Sequence, residues 1–288
     1  YMCNCFAFGK KICYNYDMNV NEKKSERVLS AIDTAVFVIT AAVFAFCLVY
    51  ATVSMITGKE SPIYGYGKYG MYELVQRAGV LCLVFVPFVL RRCRVYIPAA
   101  FTIAFNCFIL MSVFGGTFMG LYINTKWWDK FNHTLSGILL GLAGMFFLNR
   151  ITKDNEKVGA GSVVLYAFSF AVMCGVLWEI YEFTIDGIMG TNMQKFRNDH
   201  TLEEYVGRAA LMDTMGDLIV DAIGALAVGI LCAVANAKSR SFLRMFEVKI
   251  LPKKEKAVAA ADELFDRRPE QTRPEVAATV ADNERDLS

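Results

Sequence analysis

The sequence predicts an all-α polytopic membrane protein, a bundle of about six transmembrane helices with both termini in the cytoplasm. Of its 288 residues, 55% are hydrophobic and 20% are charged, whereas a soluble domain has about 45–50% apolar and about 25% charged residues. The apolar excess is concentrated in long stretches that contain almost no charge. Such a composition excludes a disordered chain, a disulfide-stapled secreted domain and a nucleic-acid-binding domain with a basic face.

Six apolar runs define the predicted spans, because about 20 apolar residues in a helix cross about 30 Å of hydrocarbon. Numbered one to six in chain order, they cover approximately residues 30–56, 74–90, 96–122, 127–149, 160–186 and 208–236. We therefore predict a six-helix transmembrane domain at 29–236. A cytoplasmic N-terminal segment at 1–28 precedes it, and a cytoplasmic tail at 237–288 follows, basic at first and then of a composition typical of disorder.

The loops predict the orientation in the membrane. The segments that we assign to the cytoplasm carry 18 Lys or Arg residues, and the three alternate loops carry 7. Cytoplasmic loops of membrane proteins have this excess of basic residues. Aromatic residues, which concentrate at membrane–water interfaces, cluster in two of the outer loops, at Tyr64, Tyr66, Tyr69 and Tyr72 and at Trp127 and Trp128. The predicted localisation is the plasma membrane, with the loops at 57–73, 123–130 and 187–209 outside.

Acidic residues and one histidine recur inside the last three spans, although an acid at a helix centre costs about 2.5–3.5 kcal/mol on insertion scales. They are Asp129 and His133 in span four, Glu179, Glu182 and Asp186 in span five, and Asp213, Asp217 and Asp221 in span six. Spacings of three, four and seven residues place each set on one face of its helix. We predict that the three polar faces meet around one chamber.

The depth of these residues predicts which side the chamber faces. At 1.5 Å per residue, His133, Glu179 and Asp213 lie about 8–10 Å inside the outer ends of their helices, and Asp221 lies near the midplane. The chamber is therefore predicted to open to the extracytoplasmic side. The ten residues after Asp221 carry no polar side chain, which favours a blind pocket over a conduit.

Nearby cations, among them Lys130 and Arg77, do not balance the acids, and close carboxylates either share protons or bind a cation. Oxygen ligands suit Mg²⁺, Mn²⁺ or Ca²⁺, and an imidazole ligand suits Zn²⁺ or Fe²⁺. The predicted ligands of a divalent metal are Asp129, His133, Glu179, Glu182, Asp213 and Asp217, with Asp186 and Asp221 as further residues of the chamber. Two alternatives stay open: carboxylates that share protons or line a water-filled space, and a purely structural network between helices.

Three motifs in residues 127–236 carry a family resemblance. They are Asp129-Lys130-x₂-His133, Trp178-Glu179-x₂-Glu182 and Asp213-Thr214-x₂-Asp217-x₃-Asp221-x₂-Gly224. With these motifs the chain resembles the YjdF-like family of bacterial inner-membrane proteins and, more distantly, the VanZ-like family. VanZ-like proteins usually have Gln in place of Glu182 and Asn in place of Asp221, so the chain is more similar to the YjdF-like branch. The resemblance implies a multi-pass bacterial membrane protein and, through the link of VanZ-like members to glycopeptide tolerance, substrates of the cell envelope.

The leading functional hypothesis is a divalent-metal-dependent hydrolase or transferase acting on an amphiphilic or lipid-linked envelope substrate among the membrane lipids. A metal-bound water would be the nucleophile and a carboxylate such as Glu182 the base, while Arg77 or Lys130 would hold an anionic group of the substrate. One alternative is a proton- or cation-coupled carrier that uses the same carboxylates. The other is a non-enzymatic ligand-binding membrane scaffold.

Overall fold

The computed structural model describes residues 20–59, 70–152, 158–239, 242–246 and 249–250. The chain divides into two compact units, residues 1–249 and 250–288, and all the described helices lie in the first. The predicted N-terminal segment up to residue 19, the tyrosines at 64, 66 and 69 and the predicted tail from residue 251 lie outside the described residues.

The described part of the chain is almost entirely helical. Its helices are α1 (Val20–Ile56), α2 (Met71–Arg92), α3 (Ala99–Ile109), a π-helix (Leu110–Phe118) that continues α3, α4 (Leu121–Asn124), α5 (Trp128–Ile151), α6 (Ala160–Met189) and α7 (Met212–Lys238). Two 3₁₀ turns, Gly207–Leu211 and Phe242–Phe246, and two strands of two residues, β1 (Val95–Tyr96) and β2 (Lys249–Ile250), complete the described structure. Six helical segments are long and apolar enough to cross a membrane, which confirms the predicted all-α fold with about six spans.

The main difference from the predicted boundaries is at span three, which ends at Phe118 rather than at residue 122. The chain turns at Gly120, whose φ of +76° is in the left-handed region that favours glycine. The short helix α4 then doubles back, so that the Tyr122 ring covers the backbone of Gly116. Tyr122 therefore belongs to a connection between two halves of the bundle and not to a span.

Helices α5, α6 and α7 form a closely packed three-helix core. Glycine permits the close approach of helices in membranes. A Cβ atom on Gly137 would lie 2.3 Å from the backbone oxygen of Asp221, and one on Gly224 would lie 2.4 Å from that of Thr134. The absence of these side chains therefore sets the register of α5 against α7, and with it the position of the acidic faces.

The interior of this core is polar toward one end and apolar toward the other. The residues beyond Asp221 pack into a cluster that comprises Met145, Leu148, Val163, Ala167, Val228, Cys232, Ala233 and Leu243. Asp217 and Asp221 lie just before the start of this cluster on α7, and both are buried. The apolar cluster thus closes the polar interior from the end of α7 that leads to Lys238.

Helices α1, α2 and α3 pack together as the N-terminal half, and the buried acid Asp33 of α1 is paired. Arg91, at the end of α2, donates to the Asp33 carboxylate, and the Thr102 hydroxyl donates to the other oxygen of Asp33 at 2.5 Å. One carboxylate therefore connects the three helices of this half.

Candidate functional site

The polar faces of α5, α6 and α7 meet inside the three-helix core. His133, Glu179, Glu182, Asp217 and Asp221 are all buried there. Asp129 and Asp213 are partly exposed at the rim, near the starts of α5 and α7. We refer to these seven residues as the carboxylate–histidine centre. Their proximity follows from the helical spacing in the sequence and from the glycine contacts that bring the three helices together.

His133 lies between carboxylates on both sides of its ring. Its Nδ1 is 3.2 Å from Asp221 Oδ2, and its Nε2 is 3.7 Å from Asp217 Oδ1 and 3.9 Å from Asp129 Oδ1. The Ser136 hydroxyl donates to the remaining oxygen of Asp221 at 2.7 Å. A carboxylate that orients a histidine through one ring nitrogen is the usual support of a metal-ligating imidazole. Nε2 is then the atom that faces the other acids.

Three of the predicted metal ligands form a compact set. Asp129, His133 and Asp217 each offer one ligand atom, and these atoms all lie within 4.8 Å of one another. Small side-chain movements bring such a set to the coordination distances of a divalent ion, about 2.0–2.2 Å for nitrogen and carboxylate oxygen ligands of zinc. Two carboxylates and one imidazole fit Mn²⁺, Fe²⁺ or Zn²⁺ by ligand type.

Glu179 is the most unusual group of the centre. Its side chain is 5% exposed, and neither carboxylate oxygen makes a hydrogen bond with any residue that the structure describes. Thr214 and Gln194 lie nearby, and the Gln194 amide donates to the Thr214 hydroxyl at 3.0 Å, which leaves the hydroxyl with its own O–H donor. A buried, ionised carboxylate without a partner is strongly destabilising, so Glu179 has to be neutral or to have a cation or a hydrogen-bond donor beside it.

Glu182 has one defined partner and several charged neighbours. The indole nitrogen of Trp178, one turn before it on α6, donates to Glu182 Oε1 at 2.8 Å. The charges of Glu179, Asp129 and Asp217 lie close enough to act on Glu182. Glu182 is therefore a buried acid with one hydrogen bond and with other acids close enough to affect its charge.

Lys130, which the sequence predicts to hold a substrate anion, is paired with acids of the centre. Its Nζ donates to Asp213 Oδ1 at 2.7 Å, to Asp217 Oδ1 at 2.9 Å and to the backbone oxygen of Asp213 at 3.2 Å. An ammonium group has three N–H donors, and all three are in use. The lysine chain crosses α7 over Gly216, which has no side chain to obstruct it. Lys130 therefore neutralises the rim of the centre and connects α5 to α7.

Arg77 and Asp186 are positioned by surroundings that the sequence pattern does not reveal. Arg77 is 2% exposed within the N-terminal half, where its guanidinium lies over the Phe118 ring and donates to the Glu73 backbone oxygen. Asp186 accepts hydrogen bonds from the Thr191 hydroxyl and from two backbone N–H groups of the loop that follows α6. Both oxygens of Asp186, which the sequence predicts as a residue of the chamber, thus accept hydrogen bonds from this loop.

Tyr122 belongs to the surroundings of the centre, although the sequence pattern does not single it out. Its hydroxyl lies 2.8 Å from Ser112 Oγ. Burial raises the pKa of the Tyr122 phenol well above its ordinary value, and the charges of Asp129, Glu182 and Asp217 raise it further. In the sequence Tyr122 is one more apolar residue at the predicted end of span three. Its only indication in the sequence of a link to the centre is its position, seven residues before Asp129 and at the same end of the bundle.

Comparisons with known proteins agree with a membrane protein and assign no activity. An uncharacterized protein of Thermotoga maritima is 36% identical over 113 residues, which are 38% of this chain and 49% of that protein. The chain thus spans about half the length of this relative. No solved structure matches, and the comparisons do not support the VanZ-like resemblance. The family described as "Predicted membrane protein (DUF2238)" matches residues 38–238, which include every residue of the carboxylate–histidine centre, and the chain belongs to this family.

Proposed function

We propose that the carboxylate–histidine centre binds a divalent metal ion and that the protein is a metal-dependent hydrolase or transferase in the bacterial inner membrane. The observation that carries the proposal is the compact set of Asp129, His133 and Asp217 beside the buried, unpartnered carboxylate of Glu179. The YjdF-like resemblance is consistent with the family to which the chain belongs.

The arrangement of the side chains supports a catalytic site. Asp221 and Ser136 orient the imidazole of His133, and Trp178 fixes one oxygen of Glu182. A bound divalent ion supplies Lewis acidity toward an oxygen atom of the substrate or a water molecule. Glu182 is then the residue best placed to accept a proton, because it is buried beside the predicted ligands and its second oxygen has no donor among the described residues.

The closed inner end of the centre favours a binding or catalytic site, and it argues against a continuous pathway through the membrane. A carrier needs polar groups that continue through the membrane, whereas the apolar cluster beyond Asp221 fills the three-helix core. Membrane-spanning helices are surrounded by lipid, where amphiphilic molecules concentrate. We therefore propose an amphiphilic or lipid-linked substrate of the cell envelope.

A ligand-binding scaffold is the second candidate, and one observation favours it. Lys130 bonds directly to Asp213 and Asp217, so part of the centre is itself a link between α5 and α7. In such a protein the same carboxylates would hold the helices together and bind a ligand without chemistry. A carrier that uses protons or cations is the remaining alternative.

Metal binding is the decisive test. We expect protein purified in detergent, stripped with a chelator and incubated with Mg²⁺, Mn²⁺, Ca²⁺, Zn²⁺ or Fe²⁺ to retain about one ion per chain for at least one of these metals. His133→Ala and Asp217→Asn remove ligands and should abolish retention. Asp221→Asn removes only the support of the imidazole and should weaken binding about 10–100-fold. Elemental analysis and equilibrium titration give these values.

The matched controls are His200→Ala and Asp199→Asn, because both residues lie in the loop after α6 and Asp199 pairs with Lys195 instead of the centre. Both controls should retain the metal. If the native protein retains none of the five ions, the metal-dependent enzyme is wrong and the scaffold or the carrier takes its place.

The side of the membrane that the centre faces is a separate prediction. The distribution of basic residues predicts that residues 187–209 lie outside the cell. His200 is exposed, so His200→Cys should react with a membrane-impermeant maleimide in intact cells. Lys238→Cys, at the opposite end of α7, should react only after permeabilisation. Both variants are compared with the parent protein, which has nine cysteines of its own. The reverse labelling pattern would contradict the orientation and place the centre toward the cytoplasm.

A further inference from the structure

We propose that Tyr122 positions the substrate at the carboxylate–histidine centre by donating a hydrogen bond from its phenol to an oxyanion of the ligand, and that the π-helix Leu110–Phe118 holds it in place. This inference rests on the proposed function and names the chemical class of the group that the centre recognises. The class is an anionic oxygen, as in a phosphate or carboxylate headgroup.

Tyr122 lies within electrostatic reach of the centre. It belongs to α4, the short helix between the N-terminal half and the three-helix core. The charges of Asp129, Glu182 and Asp217, which belong to α5, α6 and α7, all act on the phenol. The phenol is thus close enough to acids of all three helices of the centre to be influenced by their charges.

The tyrosine is also firmly held. A Cβ atom on Gly116 would lie 2.1 Å from the Tyr122 ring, so the ring rests directly on the bare backbone of the π-helix. Ser112, one helical turn earlier, is hydrogen-bonded to the phenol oxygen at 2.8 Å. Lys195, from the loop after α6, donates to the Tyr122 backbone oxygen at 3.3 Å. Such fixation is what a positioning residue needs, and π-helical segments occur frequently at functional sites.

An anionic ligand at the centre needs a hydrogen-bond donor. Ionised carboxylates only accept hydrogen bonds, so most of the centre repels such a ligand. The N–H groups of Lys130 are committed to Asp213 and Asp217, and the indole N–H of Trp178 is committed to Glu182. When the Ser112 hydroxyl donates to the phenol oxygen, the O–H of Tyr122 is left to donate to a ligand.

A second aromatic donor lies beside the first. The Trp128 ring packs against Gly115, the neighbour of Gly116 in the π-helix. The indole nitrogen of Trp128 is buried and makes no hydrogen bond with any described residue. Gly115 thus supports the Trp128 indole and Gly116 supports the Tyr122 phenol. Each of these side chains has one hydrogen-bond donor.

The test separates the binding of the ion from the binding of the anion. Protein in detergent is loaded with Mn²⁺, and two probes are titrated: inorganic phosphate and dihexanoyl phosphatidic acid. We expect Tyr122→Phe to leave Mn²⁺ affinity unchanged and to weaken binding of at least one probe about tenfold or more, as for the loss of a hydrogen bond to a charged group. Ser112→Ala should weaken the same probe less. Tyr166→Phe, near the start of α6 and more than three helical turns before Glu179, should leave the affinities for Mn²⁺ and for both probes unchanged.

A second measurement does not depend on the choice of probe. With 3-fluorotyrosine placed at position 122, bound Mn²⁺ should broaden its ¹⁹F resonance strongly, whereas the same label at position 166 should be much less affected. Preference for the lipid probe identifies a membrane headgroup, and equal affinity for both probes identifies the phosphate group alone.

Each contrary outcome has its own meaning. Unchanged probe affinity in Tyr122→Phe, or equal losses of ion and probe affinity, would overturn the positioning role. If Mn²⁺-loaded native protein binds neither probe, the proposed oxyanion class is wrong. If the native protein binds no Mn²⁺ or other divalent ion, the proposed function itself fails and this inference fails with it.

Discussion

Replacing Gly137 with alanine is expected to disrupt the three-helix core and to lower the thermal unfolding midpoint sharply. The added Cβ would lie 2.3 Å from the backbone oxygen and 2.9 Å from the Cα of Asp221. Backbone atoms cannot rotate away from a clash, so α5 and α7 have to separate. Overpacking of a core costs about 1–3 kcal/mol, and we expect the upper end of this range or more. The separation also breaks the contact between Asp221 and His133.

The measurement compares unfolding midpoints of purified variants in one detergent. Gly224→Ala should behave like Gly137→Ala, because its Cβ would lie 2.4 Å from the backbone oxygen of Thr134 on the same pair of helices. Gly79→Ala is the matched control, since nothing lies within 4 Å of a Cβ at this position on α2 and alanine is the better helix former. Equal midpoints for Gly137→Ala and Gly79→Ala would show that close approach of α5 and α7 does not hold the core together.

The general form of the centre could be predicted from the sequence because helical spacing is local information. Asp213, Asp217 and Asp221 recur every four residues, so they share a helix face whatever the rest of the chain does. The energetic cost of acids in a membrane then predicts that such faces meet. In the structure, acids of α6 and α7 and the histidine of α5 are buried in the three-helix core.

The partners of each side chain could not be predicted, because they depend on the register between helices. Lys130 is the neighbour of Asp129 on α5, and the missing side chain at Gly216 on α7 lets the lysine reach Asp213 and Asp217. Asp186 continues the helical spacing of Glu179 and Glu182, yet its oxygens accept hydrogen bonds from backbone N–H groups of the following loop. Spacing predicts a face, whereas packing decides what each residue on that face contacts.

The N-terminal half gives an example of a partner that the sequence could have indicated. Asp33 lies near the start of span one and Arg91 near the end of span two, so antiparallel helices put both at the same side of the membrane. The structure joins them with Thr102 of α3. No comparable signal points to Tyr122, because its place depends on the π-helix and on the turn at Gly120.

Replacing Glu179 with glutamine is expected to remove most of the stabilisation that a divalent ion gives, while costing the metal-free protein little. An ion that binds only the folded protein stabilises it by about 2.7 kcal/mol at 100 times its dissociation constant. In the native protein a chelator should therefore lower the unfolding midpoint at neutral pH, and one particular divalent ion should restore it. The metal-free variant keeps its stability or gains some, because the Glu179 carboxylate has no hydrogen-bond partner to lose among the described residues.

The matched control is Glu203→Gln, an exposed position in the loop after α6, which should keep the full response to the ion. Acid should weaken the response in the native protein, since protons compete with the ion for the same oxygens and for His133. The contrary result would be a native protein whose unfolding midpoint does not change with any divalent ion and rises as the pH falls. Carboxylates that share protons behave in this way, because protonation relieves their mutual repulsion. That result would exclude the metal-dependent enzyme and favour the carrier or the scaffold.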